Sequence, residues 1–170
     1  MSPEVRRFGA EHKVWRFGAE IDTDQLAPGA YMKLGIEGIA PHCLEAVRPE
    51  FAGAVQRGDV IAAGPGFGIG SSREQAAAAL IQLGVRAVIA PSFSGLFFRN
   101  AFNLGLLLLT CPEAERLREG ERVELDLRQM QVVTEDGRRL ACDPIPAFLL
   151  EMAQAGGLMN QLRRKLQASR

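Results

Sequence analysis

Lysine is scarce in this chain of 170 residues, whose 20 basic residues are arginine apart from Lys13, Lys33 and Lys165. Its 20 acidic residues bring the formal net charge to zero. A nucleic-acid-binding protein concentrates positive charge along one face, and no segment of this sequence does so. The composition therefore argues against nucleic acid as a partner.

Long apolar runs are also missing. A membrane-spanning helix needs about 20 consecutive apolar residues, and the apolar run at residues 104–109 is far shorter. The charges near the N-terminus are not followed by the apolar stretch of a secretory signal. The sequence therefore predicts a cytoplasmic protein without a membrane anchor.

Cysteine is limited to Cys43, Cys111 and Cys142. The three are widely spaced, and no pair has the C-x-x-C spacing that is common in metal and cluster sites. We therefore expect no metal or cluster held by this chain alone, and three reduced thiols with structural or surface positions.

The order of elements predicts one α/β domain over residues 1–170, with residues 1–13 as a loose N-terminal extension. A short strand is expected at 14–17 and a polar turn at 21–24. Residues 25–49 are rich in glycine, proline and alanine and read as a long loop, which in compact domains is often functional or mobile.

A βαβ unit follows, because apolar strands at 60–63 and 85–90 flank a helix at 74–83, and such strands lie parallel. A second helix is expected at 96–104 and a third strand at 105–110. The second half is rich in β-strands, and the chain ends in helices. The sequence thus predicts a mixed sheet, with further elements at 123–127, 131–134, 138–141 and from 146 onward.

The most informative segment is residues 66–74, Gly-Phe-Gly-Ile-Gly-Ser-Ser-Arg-Glu, between a predicted strand and a predicted helix. Glycines allow a sharp turn and a close approach of the backbone, and a helix N-terminus attracts anions. The spacing fails the tests for a dinucleotide fingerprint, a P-loop and a nucleophile elbow. The segment therefore predicts a site for a small carboxylate or phosphate. The alternative is a structural capping box that starts at Ser71 or Ser72.

Three segments carry a resemblance to a known family. Residues 68–74 resemble the signature of the aconitase superfamily's swivelling domain. Residues 21–24, Ile-Asp-Thr-Asp, are similar to the opening motif of the small subunits of 3-isopropylmalate dehydratase. Residues 92–106 look like that family's segment with Ser-Phe, Arg-Asn and Asn-x-Gly-Leu. The resemblance implies the swivelling β/β/α fold.

The resemblance also implies a role for each matching residue. Members of the family remove water from hydroxy-di- or tricarboxylic acids, and a [4Fe–4S] cluster held by a large subunit acts as a Lewis acid. This chain would bind no cofactor and would pair with that cluster-bearing subunit in a heterodimer or heterotetramer. Ser71 matches the catalytic base and Asp24 a supporting aspartate. Gly70, Ser72 and Arg73 match positions that bind the substrate, and Lys33 lies in the matching selectivity loop.

Each assignment has a simpler alternative, and some residues depart from the family pattern. Asp24 could cap residues 25–27, and Lys33 could be a solvated loop lysine. Gln75 stands where the family usually has histidine, and Gly95 where it has arginine. Leu34 makes the loop more apolar and favours a branched hydroxy-dicarboxylate. For the function of the whole chain, the alternatives are the small subunit of a dehydratase of 2,3-dimethylmalate or homoaconitate, or a non-catalytic interaction module of the same fold.

Overall fold

Seven strands form one mixed sheet in the computed structural model, which describes residues 11–169. In chain order the strands are β1 (His12–Arg16), β2 (Val60–Ala62), β3 (Ala87–Ala90), β4 (Leu107–Thr110), β5 (Arg122–Asp126), β6 (Gln131–Thr134) and β7 (Arg139–Ala141). Across the sheet their order is β4-β3-β2-β1-β5-β6-β7.

Seven α-helices connect or follow the strands in the described part of the chain. They are α1 (Thr23–Leu26), α2 (Gly35–Ile39), α3 (Phe51–Ala54), α4 (Glu74–Gln82), α5 (Gly95–Leu104), α6 (Ala147–Ala155) and α7 (Leu158–Ala168). Three short 3₁₀ segments, Gly29–Leu34, Ala40–His42 and Ala114–Arg116, complete the set.

Strands β1 to β4 are parallel, whereas β5 to β7 pair antiparallel with their neighbours. Every residue of β2 and β3 is buried, as expected for parallel strands covered on both faces. The βαβ unit and the β-rich second half confirm the fold class that the sequence predicted.

The sheet also curls, so that its two edges meet. The amide of Asp143, just after β7, donates a hydrogen bond to the carbonyl of Thr110 at the end of β4, with an N···O distance of 2.8 Å. The edge strands therefore protect each other's backbone groups near this point.

Three of the predicted strand starts are wrong by two residues. Strand β1 begins at His12, so the last residues of the expected loose extension belong to the sheet, while residues 1–10 lie outside the described residues. The third and fourth strands begin two residues later than predicted, at Ala87 and Leu107.

The segment 25–49 is not a structureless loop. It contains short helices, and its apolar side chains are packed into the core, which the composition of the segment did not indicate. Leu26, Ile39 and Leu44 are fully buried, and the amide of Leu44 donates to the carbonyl of Gln25 at 2.8 Å. Burial of a leucine or isoleucine contributes about 1.5–3 kcal/mol, which is enough to hold a segment of poor helix propensity.

Among residues 11–169, none of the helices combines the length and apolarity that a membrane crossing requires.

Candidate active site

The glycine-rich segment after β2 lies beside the segment that follows β1. The amide of Gly68 donates to the carbonyl of Ile21 at 2.7 Å, and the amide of Thr23 donates to the carbonyl of Ile69 at 2.8 Å. These bonds form a short parallel bridge beyond the ends of the two strands. The first two predicted motifs are therefore neighbours in space.

On its other side, the same segment is bonded to the start of the third motif. The amide of Gly66 donates to the Ser92 side-chain oxygen at 2.9 Å. The amide of Ser94 donates to the carbonyl of Phe67, also at 2.9 Å. All three motifs thus meet at the carboxyl ends of parallel strands, where α/β sheets commonly bind ligands.

Gly68 fixes how closely this segment packs against α5. Its φ is +87°, and a Cβ atom there would lie only 2.3 Å from Cγ of Phe97. Gly70, the predicted substrate-binding glycine, is exposed, and a Cβ on it would lie 2.9 Å from Oγ1 of Thr23. Neither position has room for a side chain without movement of its neighbours.

Helix α1 begins with a capping box that the sequence analysis did not identify. The Asp22 carboxylate accepts from the amide of Gln25 at 2.8 Å, and the Gln25 side-chain oxygen accepts from the amide of Asp22 at 3.0 Å. Asp22 therefore performs the capping that was the structural alternative for Asp24. Asp24 is left for a different contact.

Asp24 forms an ion pair with Arg73. The Arg73 guanidinium donates through Nη1 to the Asp24 carboxylate at 2.8 Å and to the carbonyl of Ala27 at 3.0 Å. The amide of Gly29 also donates to that carboxylate, at 3.0 Å. The bond from Arg73, together with that from Gly29, lowers the pKa of Asp24. The structure thus brings together two predicted site residues that are distant in sequence.

Both members of this pair remain accessible to solvent. The side chain of Asp24 is 68% exposed and that of Arg73 is 26% exposed. Screening by water makes such a pair contribute little to stability, about 0–1 kcal/mol. A role in positioning the guanidinium explains the pair better than a role in stabilising the fold.

Ser71 and Ser72 are both exposed, and neither caps the helix that follows. Arg73 occupies the N-cap position of α4, and no side chain caps that helix. The capping box considered for these serines is therefore wrong. Their hydroxyls lie at an open helix N-terminus, where backbone N–H groups and the helix dipole favour negative charge.

Lys33 is exposed in the 3₁₀ segment Gly29–Leu34 and forms no ion pair within residues 11–169. Its contact with a ligand stays a prediction. The segment starts beside the ion pair, because the amide of its first residue, Gly29, donates to the Asp24 carboxylate.

Known proteins share much of this chain's sequence. The aconitase C-terminal domain family matches residues 49–114. A curated 3-isopropylmalate dehydratase small subunit from Archaeoglobus fulgidus is 42% identical over 150 residues, covering 87% of this chain and 93% of its own length. A second, from Thermotoga maritima, is 41% identical over 156 residues, with 89% and 93% covered.

This chain belongs to the family of 3-isopropylmalate dehydratase small subunits.

A solved structure supports the same membership. A 3-isopropylmalate dehydratase from Methanocaldococcus jannaschii superposes with a TM-score of 0.86 at 37% identity, covering 94% of this chain and 97% of that one. The family resemblance inferred from three short motifs is thus confirmed over nearly the whole chain.

The cysteines do not fit an iron–sulfur cluster. Cys43 and Cys111 are buried, Cys142 is partly buried, and within residues 11–169 no group of three or more His, Cys, Asp or Glu residues could hold a metal ion. Burial among apolar side chains raises the pKa of Cys43 to about 12, the opposite of what a thiolate ligand needs.

Two contributors to the site were missed from the sequence. The carbonyl of Ala27 and the amide of Gly29 complete the contacts of the ion pair. Backbone groups carry no residue-type signal, and only the Ala-Pro-Gly turn at 27–29 marked their position.

Proposed function

We propose that this chain is the small subunit of a hydro-lyase that acts on a branched hydroxy-dicarboxylate of the 3-isopropylmalate type. The observation that carries the proposal is the meeting of the three motifs, with Ser71 and Ser72 exposed next to Arg73. The relatives named above carry the corresponding activity in their names. The enzyme is active only when a large subunit completes the site.

Ser71 is the proposed base, which takes a proton from the substrate carbon. A serine hydroxyl is a very weak acid, so its charged form needs strong support. The uncapped N-terminus of α4 and the neighbouring guanidinium of Arg73 both favour an anion at this point. Ser72 and the backbone of Gly70 are proposed to bind the same ligand.

Arg73 is the proposed anchor for a substrate carboxylate. Its two hydrogen bonds to Asp24 and Ala27 both use Nη1. Within residues 11–169 its Nε and Nη2 atoms make no hydrogen bond, so these donors can bind a carboxylate side-on. Asp24 is therefore a positioning residue that holds the guanidinium with one edge free.

The 3₁₀ segment supplies the proposed selectivity. Lys33 offers a second cation for the other carboxylate, and Leu34, 60% exposed, offers an apolar contact for a hydrocarbon branch. An apolar rim disfavours a third carboxylate at that position. A branched dicarboxylate fits this pair of side chains better than homoaconitate does.

The large subunit is the proposed partner, in a heterodimer or heterotetramer, and any [4Fe–4S] cluster belongs to that subunit. The three cysteines form no disulfide in the structure, which agrees with the proposed cytoplasmic location.

Reconstitution tests the proposed base. The chain is combined with its large subunit under anaerobic conditions with iron and sulfide, and formation of the unsaturated acid from 3-isopropylmalate is followed by absorbance. Replacement of Ser71 by alanine should lower kcat by about 10²–10⁴-fold, the usual contribution of a general base. The matched control is Ser169→Ala, because Ser169 is an exposed serine at the end of α7.

Equal activity of the two variants would contradict the role of Ser71. An assembled complex of normal cluster content that is inactive on every acid tested, including 2,3-dimethylmalate and homoaconitate, would favour the non-catalytic module instead. A substrate panel on the active complex separates the three dehydratase activities by kcat/KM.

A further inference from the structure

Two of the three cysteines lie where the edges of the curled sheet meet. Cys111 directly follows β4, and its amide donates to Ala90 at 2.9 Å. Cys142 directly follows β7, and its amide donates to Met130 at 2.8 Å. The amide of Cys111 is thus bonded to the end of β3, and that of Cys142 to the residue just before β6.

The register places these two residues opposite each other. Three antiparallel pairings separate β7 from β1, and β4 is parallel to β1, so β7 and β4 run in opposite directions. The bond from Asp143 to Thr110 pairs those residues. The next pair is therefore Cys111 and Cys142, whose own amides point away from each other.

This register corresponds to the close, non-hydrogen-bonded type of antiparallel pair. In a regular ladder the Cα atoms of such a pair are about 4.5 Å apart, which lies inside the range of about 4.4–6.8 Å spanned by disulfides. The Cys142 S–H donates to the carbonyl of Leu140 at 3.9 Å, and the two thiols lie near enough that each shifts the pKa of the other.

The two thiols shift each other's pKa in opposite directions. The Cys142 side chain lowers the pKa of Cys111, against the opposing effects of burial and of the Glu113 and Asp143 charges. The Cys111 side chain raises the pKa of Cys142, with burial adding to the effect. Cys111 is therefore the more acidic of the two thiols.

We propose that Cys111 and Cys142 form a dithiol site that closes reversibly to a disulfide by exchange with a low-molecular-weight disulfide such as oxidised glutathione. The proposal is independent of the proposed hydro-lyase activity, since neither residue is part of that site.

Exchange proceeds in two balanced steps. The partly exposed Cys142 gives its proton to the thiolate of the more acidic Cys111, attacks one sulfur of the small disulfide as a thiolate, and forms a mixed disulfide, while the released small thiolate takes that proton back from Cys111. The buried Cys111 then attacks the Cys142 sulfur, closes the protein disulfide and releases the second small thiol. The protein loses two hydrogens, and the small disulfide gains them as two thiols.

Closure would link the end of β4 to the segment that leads into α6, and would enclose residues 111–142 in a covalent loop. A loop of this length restricts the unfolded chain substantially. Because the two residues already face each other, the native state gains little strain. We expect the melting temperature to rise by about 5–15 °C on oxidation, from the usual stabilisation by a disulfide and the size of the domain.

The experiment treats the reduced, full-length chain with oxidised glutathione, blocks remaining thiols with an alkylating reagent, and maps cross-linked peptides by mass spectrometry. We expect one intramolecular link between Cys111 and Cys142, with the rise in melting temperature reversed by dithiothreitol. Cys43→Ser is the matched control and should keep both effects, because Cys43 is fully buried and follows the 3₁₀ segment Ala40–His42, outside the two strand ends that carry the pair. Cys142→Ser and Cys111→Ser should each lose both.

Three results would overturn the proposal. One is a stable glutathione adduct on Cys142 with Cys111 still reduced, since this shows that the two sulfurs do not meet. Another is a disulfide that contains Cys43 or joins two chains. The third is a mapped link without any change in melting temperature. If Cys111→Ser fails to fold, the partly exposed Cys142→Ser alone decides the outcome.

Discussion

Replacing Gly68 by alanine tests whether the glycine-rich segment is positioned by its approach to α5. A Cβ atom would lie 2.3 Å from Cγ and 2.4 Å from Cβ of Phe97, far inside contact distance, on a backbone with a φ of +87°. The positive φ costs about 1–2 kcal/mol for a residue with a side chain. Overpacking in a closed site costs about 1–3 kcal/mol more. The free energy of unfolding should therefore fall by about 2–5 kcal/mol.

Gly66→Ala is the matched control, because it shares the positive φ but not the clash. Its φ is +77°, and its nearest neighbour would be Cγ of Glu20 at 3.5 Å, an ordinary contact. We expect a loss of only about 1–2 kcal/mol for this variant. Urea unfolding followed by fluorescence of the single tryptophan measures both variants against the parent.

A double-mutant cycle then identifies the source of the excess loss. In a Phe97→Gly background both the ring and the Cβ atom that would meet the new methyl group are gone. The Gly68→Ala loss should therefore shrink by about 1–3 kcal/mol, the size expected for residues in contact. Equal losses for Gly68→Ala and Gly66→Ala, or strict additivity with Phe97→Gly, would refute the claim that close packing fixes this segment.

Two further predictions concern the site. Arg73→Gln should raise the pKa of Asp24 towards its ordinary value of 3.8, as measured by carboxyl carbon NMR, while the pKa of about 2 of Asp136, in a separate hairpin, stays unchanged. Because the folded-state pKa of Asp24 is the lowered one, the stabilising effect of the pair is present above the ordinary value and is lost as pH falls through the folded-state value. A pKa that does not move would contradict the ion pair. Leu34→Thr should lower kcat/KM for a branched hydroxy-dicarboxylate by about 10-fold or more and leave an unbranched analogue unchanged, since loss of an apolar contact costs about 1–3 kcal/mol. An equal loss for both acids would contradict the proposed role of Leu34 in substrate selectivity.

Much of the parallel half of the fold could be predicted from the sequence. The strands around Ile61 and Val88 are short apolar runs with a glycine turn and an alanine-rich helix between them, and this order admits few arrangements. Ser71 and Arg73 could be proposed as site residues on similar grounds, because their types and spacing exceed what a helix cap requires. These signals come from residues that are close together in the chain, so a single sequence is enough to recognise them.

The contacts that position the site residues could not be predicted from the sequence, since they join residues far apart in the chain. The pairing of Asp24 with Arg73 depends on a bridge between two loops, and the opposition of Cys111 and Cys142 depends on the curl of the sheet. The residue that caps each helix could not be predicted either, for a related reason. Both Ser71 and Asp22 begin a suitable pattern, and only the backbone conformation before each helix decides which one caps.

The exposure of the site shows why the proposed activity needs a second chain. Ser71 and Ser72 are exposed, and the Asp24 carboxylate is 68% exposed. In bulk water the field of a helix terminus or a guanidinium is weakened many-fold relative to a closed site. A serine base gains its charged form only where water is excluded and the donors around it are fixed. This chain supplies the fixed donors, through the bridge between its loops. The proposed large subunit would exclude water by covering Arg73.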